Sequence, residues 1–223
     1  MFTATVLCIA LSLLYVSSLY LWEYLDPNLT HLGRDHPSVI IRRCISVIVS
    51  TVVAWKTTEW YIGTAWVVPN VSVRNLLITT GQTLVLMTGP LRAKHLTFPS
   101  TLIGMRNLII APITEELVFR EFFIKILHHG GYGSRSAGFV APIIFAIAHV
   151  HHHYKQMSFS AAVMAVGHTC IFGWIASVFL LRRSVWDAII SHSICNFIGL
   201  SSVIQKETLF GGAIAFLVSL YFI

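Results

Sequence analysis

An all-α, polytopic membrane bundle of about eight transmembrane helices is what this sequence predicts, and three observations carry the prediction. The chain is 56% hydrophobic. Only 11% of it is charged, against roughly a quarter in soluble domains. Apolar runs of about 20 residues, enough to cross the hydrocarbon core as helices, recur along its length. No Gly/Ser linker, low-complexity tract or internal repeat divides it, so residues 1–223 read as a single integral-membrane domain. The net charge is +6, but Lys and Arg stand singly or in pairs at the ends of apolar runs. That is how interfacial anchors are placed, and it argues for the lipid bilayer and against nucleic acid as a partner.

Taken in order, the runs predict spans at about 4–22, 38–55, 75–91, 100–127, 137–154, 158–181, 184–203 and 209–223. The first lacks a basic leader and a small-residue cleavage site, so it is expected to be a retained span. A polar loop, Glu23 to Pro37, follows it, and residues 56–74 are expected to form a second loop or interfacial segment. Gly81 and Gly89-Pro90 are expected to interrupt the third span. Inside the fourth, Pro112 removes a backbone donor and frees the carbonyl of Leu108, so the helix should kink or restart just before Glu115. Lys and Arg divide too evenly between odd and even loops to orient the chain by charge. Cys8, Cys44, Cys170 and Cys195 lie in apolar runs with no CxxC spacing and read as small buried hydrophobes.

Three polar constellations lie inside these apolar runs: Glu115-Glu116 with Arg120, His149 after Phe145-Ala146-Ile147-Ala148, and His192 with Asn196. A charge at bilayer depth costs about 2.5–3.5 kcal/mol on insertion scales, so ionisable residues there are rare unless they react, carry ions or pair. Glu115 and Glu116 project about 100° apart on a helix and cannot do the same job. Glu116 and Arg120 have the favourable i, i+4 order for an ion pair. Arg120 is therefore expected to neutralise and orient Glu116, leaving Glu115 as the carboxylate for general-base work. His149 is the member of its histidine run most continuous with the apolar span; His151, His152 and His153 read as interfacial. His192 and Asn196 share one helix face and together supply the two donors that an oxyanion hole requires. His168 and Asp187 read as structural. The whole pattern reads as a hydrolytic site in a membrane bundle, an intramembrane protease.

Two other chemistries stay open on the residues alone. Cys195, one turn from His192, could serve as a thiol nucleophile, although the glutamate pair would then have no role. Glu115, His149 and His192 could hold zinc, but no HExxH is present and three separate helices would have to supply the ligands. No metal and no cofactor are expected. Outside enzymology, the same groups could hold a partner in a non-catalytic membrane scaffold, or carry protons in a transporter.

The set Glu115-Glu116-x-x-x-Arg120, Phe145-x-x-x-His149 and His192-x-x-x-Asn196 resembles the type II CAAX prenyl endopeptidases. The eukaryotic branch of that family is the more similar. Its N-terminal loop resembles Arg34-Asp35-His36-Pro37-Ser38-Val39-Ile40 with Arg42-Arg43, and further likeness lies in Arg106-Asn107, His149-x-His151-His152 and Cys195-Asn196. The resemblance runs from about residue 34 to 200. It implies a multi-pass enzyme of the endoplasmic reticulum membrane, its site facing the cytosol, that removes the last three residues of farnesylated or geranylgeranylated CAAX proteins such as small GTPases. It also implies Glu115 as the base that activates water with help from His149, His192 and Asn196 as the oxyanion hole, Glu116 and Arg120 as support, and no catalytic metal. Lys155 departs from the family, whose members often carry a Glu after the histidine cluster.

Overall fold

The computed structural model describes residues 1–87, 99–148 and 159–198, and what they form is helical throughout its regular structure. Helix α1 spans Phe2–Ser18, α2 Leu21–Leu25, α3 Pro37–Ile62 and α4 Val73–Leu86. A composite helix, α5, runs without a break through Thr101–Met105, Arg106–Ile110, Ala111–Glu116, Leu117–Phe122 and Phe123–His129. Its second and fourth segments are wound as π-helix. Helices α6 (Ser134–Ala148), α7 (Phe159–Arg182) and α8 (Val185–Ile198) complete the bundle.

The first seven expected spans coincide with α1, α3, α4, α5, α6, α7 and α8; the eighth lies outside the described residues. The expected loop Glu23 to Pro37 holds the end of α2 and a 3-10 turn over Pro27–His31, and two further expectations change. Residues 56–62, expected as loop, continue α3 to Gly63, whose φ of 77° gives the left-handed turn that ends it. Gly81 lies inside α4 without interrupting it, whereas Gly89-Pro90 falls outside the described residues. Among the described residues only α3, 26 residues, is long and apolar enough to cross a membrane by itself. Phe2–Ser18, Ser134–Ala148 and Val166–Arg182 are apolar but shorter, and α5 carries charges along its whole length.

The side chains sort as lipid requires. On α1, Ala4, Cys8, Leu11 and Tyr15 recur at helical spacing and are buried, while Phe2, Ile9 and Leu13 face outward. On α3 the sorting of a soluble helix is partly reversed. Ser46, Ser50, Thr51 and Thr58 turn inward, and Ile41, Ile45, Ile48, Val49 and Val52 turn outward. Lipid is as apolar as isoleucine, so helices associate there through small side chains and interhelical hydrogen bonds. Ser50 donates to Ser18 at 3.0 Å, Trp22 Nε1 donates to Ser46 at 2.8 Å, and Tyr15 shares a 2.8 Å hydrogen bond with Thr114. Between α6 and α7 the contact is made at glycines. A Cβ on Gly138 would come within 2.8 Å of Leu181, and one on Gly173 within 2.7 Å of Pro142.

Helix α8, which carries His192 and Asn196, is tied to α4 by buried polar groups. Asp187 accepts hydrogen bonds of 2.7 Å from Thr79 and from Ser184, the residue just before α8. Arg183 Nη1 donates to Thr79 and to Gln82 Oε1. One turn further on, Thr83 donates to Ser191 at 3.0 Å. These contacts set the axial register of α8. Asp187→Ala should leave buried hydroxyls without an acceptor and destabilise the protein by about 2 kcal/mol; thermal unfolding in detergent should show a lower midpoint, with Asp187→Asn recovering part of the loss.

Candidate active site

The site begins with a defect in α5. A π-turn closes i→i+5 hydrogen bonds in place of i→i+4, and such turns are frequent where helices carry function. Pro112 supplies no N–H, so the helix does not stop before Glu115, as a restart would require, but widens over Arg106–Ile110. The exposed carbonyls become acceptors for α8. Ser193 Oγ donates to the Leu108 carbonyl at 2.8 Å, the group that the proline was expected to release. Asn196 Nδ2 donates to the Asn107 carbonyl at 2.9 Å. The widened turn is thereby sewn to the helix that carries the histidine.

His192 sits between the two glutamates. Its Nδ1 is 2.7 Å from Glu116 Oε1, and its Nε2 is 3.9 Å from Glu115 Oε2. The 100° between adjacent helical positions is thus spanned by one imidazole ring, with a different carboxylate at each nitrogen. Exposure falls steeply across the group. Asn196 is exposed, the Glu115 side chain is 18% exposed, and Glu116 and Arg120 are wholly buried. Glu115 therefore lies on the accessible side of the ring and Glu116 on the closed side.

Behind Glu116 stands Arg120. Its Nε is 3.3 Å from Glu116 Oε2, an ion pair without hydrogen-bond alignment. Among the described residues none of its guanidinium nitrogens has a hydrogen-bond partner. The cation instead lies over the Phe145 ring, Cζ to centroid 3.9 Å, with Phe172 at 5.8 Å. The negative face of an aromatic ring attracts a cation, and the attraction grows when water is excluded. Gly173 makes room for this packing, since a Cβ there would stand 3.1 Å from Nη2.

Of the residues singled out from sequence, the fold brings Glu115, Glu116, Arg120, His192 and Asn196 onto two facing helices. His149, with His151, His152, His153 and Lys155, lies outside the described residues. Cys195 is buried on α8, and burial is a poor setting for a thiolate nucleophile. Among the described residues no group of three or more His, Cys, Asp or Glu side chains is arranged to hold a metal ion. The direct Glu116–His192 contact was not expected from sequence. Nor were the parts played by Asn107, Ser193, Phe172 and Gly173; Pro112 was the one signal pointing toward the exposed carbonyls.

Comparison with known proteins decides the family. The Type II CAAX prenyl endopeptidase Rce1-like family matches residues 97–198. The probable CAAX prenyl protease 2 of Schizosaccharomyces pombe is 31% identical over 216 residues, which cover 86% of this chain and 79% of the relative. The chain belongs to the type II CAAX prenyl endopeptidase family. The human CAAX prenyl protease 2 is 28% identical, with 88% of this chain and 70% of the relative covered. That of Arabidopsis thaliana is 33% identical over 146 residues, 58% of this chain and 47% of the relative. No solved structure matches. The match to this endopeptidase family takes in all of α5 and α8, the two helices that carry the polar cluster.

Two substitutions test the buried half of this site. Arg120→Met should take the guanidinium partner from the buried Glu116 carboxylate and destabilise the protein by about 3–5 kcal/mol. Gly173→Val should displace Arg120 and lower the unfolding midpoint in the same detergent assay, whereas Cys170→Ala, a change on the same helix away from the ion pair, should move it little.

Proposed function

We propose that this protein is an intramembrane endopeptidase that removes the C-terminal -aaX tripeptide from prenylated CAAX proteins. The supporting observation is its similarity to CAAX prenyl protease 2 over most of both chains. The polar cluster on α5 and α8 suits that chemistry. In this reading Glu115 accepts a proton from water as the water oxygen attacks the carbonyl carbon of the prenylated cysteine. Negative charge gathers on the carbonyl oxygen, where His192 and Asn196 donate hydrogen bonds. The C–N bond then breaks, Glu115 passes its proton to the leaving nitrogen, and the tripeptide departs. Glu116 and Arg120 hold His192 from behind. His149 is assigned to the water on the family resemblance.

A site within a membrane bundle also suits the substrate. Each buried CH₂ of a prenyl chain contributes about 0.8 kcal/mol to its residence in lipid, so the substrate's end is delivered at the bilayer. The exposed edge of the cluster, at Asn196 and Glu115, is where a peptide would enter. We place the enzyme in the endoplasmic reticulum membrane with this entrance served from the cytosol, where prenylated small GTPases would meet it. The competing reading is a scaffold that binds prenylated partners without cutting them.

The decisive assay uses purified protein in liposomes with a farnesylated CAAX peptide, the released tripeptide being identified by mass. Wild type should release it, Glu115→Gln should lose at least about 10³-fold in kcat, and Cys195→Ala should keep most of the activity. Intact peptide binding with no tripeptide from wild type would establish the scaffold reading instead. Loss of activity on chelation, restored by Zn²⁺, would replace the glutamate mechanism with a metal-dependent one.

A further inference from the structure

The guanidinium of Arg106, at the start of the widened turn of α5, is held in place from two sides. Its Nε donates to Asn107 Oδ1 at 2.8 Å, and its Nη1 donates to the Arg34 carbonyl at 3.1 Å. Both acceptors are neutral, so they fix the plane of the group without cancelling its charge. The third contact is a carboxylate, Asp35 Oδ1, 2.8 Å from Nη2. The partners of that ion pair are unlike: the Arg106 side chain is 13% exposed and that of Asp35 61%. A guanidinium so covered and oriented is suited to hold a carboxylate. An acid that stands mostly in water gains little from the pair and gives it up readily.

The residue that steadies Arg106 also touches the candidate active site. Asn107 accepts from Arg106 through its side chain at 2.8 Å and from Asn196 Nδ2 through its carbonyl at 2.9 Å. Arg106 and Asn196 are therefore joined through one residue, and bond lengths keep the guanidinium within about 13 Å of the Asn196 amide. Three residues of extended chain span roughly 10 Å. A peptide whose scissile carbonyl lies at Asn196 has its C-terminal carboxylate, three residues on, within reach of Arg106. Asn196 and Asp35 are both exposed, so both ends of that interval are open to a peptide.

Resting on the endopeptidase reading and on the oxyanion role it gives Asn196, we infer that Arg106 is a specificity-determining residue that binds the substrate's C-terminal carboxylate, with Asp35 in that carboxylate's place until substrate arrives. The incoming carboxylate takes the position at Nη2, and Asp35 returns to water. Asn107 is the positioning residue, because it holds the guanidinium and the Asn196 amide in one fixed relation. The enzyme thereby measures its cut from the chain end. Lipid retains the prenylated cysteine at the bilayer, Arg106 retains the terminal carboxylate, and the bond presented to water is the one three residues from the end.

The test compares a farnesylated CAAX peptide bearing a free C-terminal carboxylate with the same peptide amidated, using the whole chain in lipid nanodiscs. Wild type should cleave the acid about 10–100-fold more efficiently in kcat/KM than the amide, the range for one hydrogen bond to a charged group. Arg106→Gln should lose that preference and cleave both peptides as wild type cleaves the amide; Arg106→Lys should recover part of it. Asp35→Asn, which removes the competing carboxylate, should lower KM for the acid more than for the amide. Arg42→Gln, which removes a cation paired with Asp26 near the start of α3, should retain the full preference. Equal cleavage of acid and amide by wild type would overturn the inference. So would an undiminished preference in Arg106→Gln, which would mark the ion pair as a fastening of the loop alone. Should Arg106→Gln not fold, wild type and Asp35→Asn with the two peptides decide. If wild type cuts neither peptide, the endopeptidase reading falls, and fluorescence-detected binding decides the carboxylate site. In that assay the acid should bind wild type about tenfold tighter than the amide, and equal binding would sink the site.

Discussion

The buried carboxylate of Glu116 governs the rest of this structure, because it is wholly screened from solvent. An unpaired charge at that depth would cost several kcal/mol, so everything around it is arranged to compensate. Arg120 stands on one oxygen and His192 on the other. Arg120, itself wholly buried, needs a setting of its own and has it in the Phe145 face and in the space left at Gly173. Four helical elements are thereby committed to one charge: α5 through Glu116 and Arg120, α6 through Phe145, α7 through Gly173, and α8 through His192.

The second constraint is register. A histidine that must meet two glutamates adjacent in sequence can do so only if α8 is fixed along its axis and in rotation. The fixation is polar, as expected where lipid removes the hydrophobic drive for helix association. Asp187, Thr79 and Arg183 pin one end of α8, and Ser193 and Asn196 pin the other to the widened turn of α5. Proline is commonly described as a breaker of helices. Here Pro112 acts with a π-turn, so α5 continues while its carbonyls are offered to a neighbour. The irregular backbone is tolerated because α8 satisfies it.

Membership of the type II CAAX prenyl endopeptidase family brings this architecture and the chemistry together. A lipid-modified substrate is confined to the bilayer, and an enzyme built as a helical bundle in that bilayer is within its reach. The fall in exposure from Asn196 through Glu115 to Glu116 gives the polar cluster an accessible edge and a closed inner wall. Buried groups of that kind cannot be replaced singly without leaving their partners unsatisfied.

Much of this was legible in the linear order of residues. Hydrophobic runs and scattered basic anchors determined a helical membrane bundle, because apolar length and charge placement are local properties. The i, i+4 spacing determined the Glu116–Arg120 pair for the same reason, and Pro112 marked Leu108 as a carbonyl in need of a donor. Helix ends were less legible: residues 56–62 remain helical because Gly63, not the polarity of Lys56 and Glu59, terminates α3. Only the tertiary structure decided that His192 lies between both glutamates, that Ser193 and Asn196 take up the widened turn, and that Arg120 rests on Phe145 beside Gly173. Those contacts join residues far apart in the chain, and periodicity within one helix carries no information about which face of another will meet it.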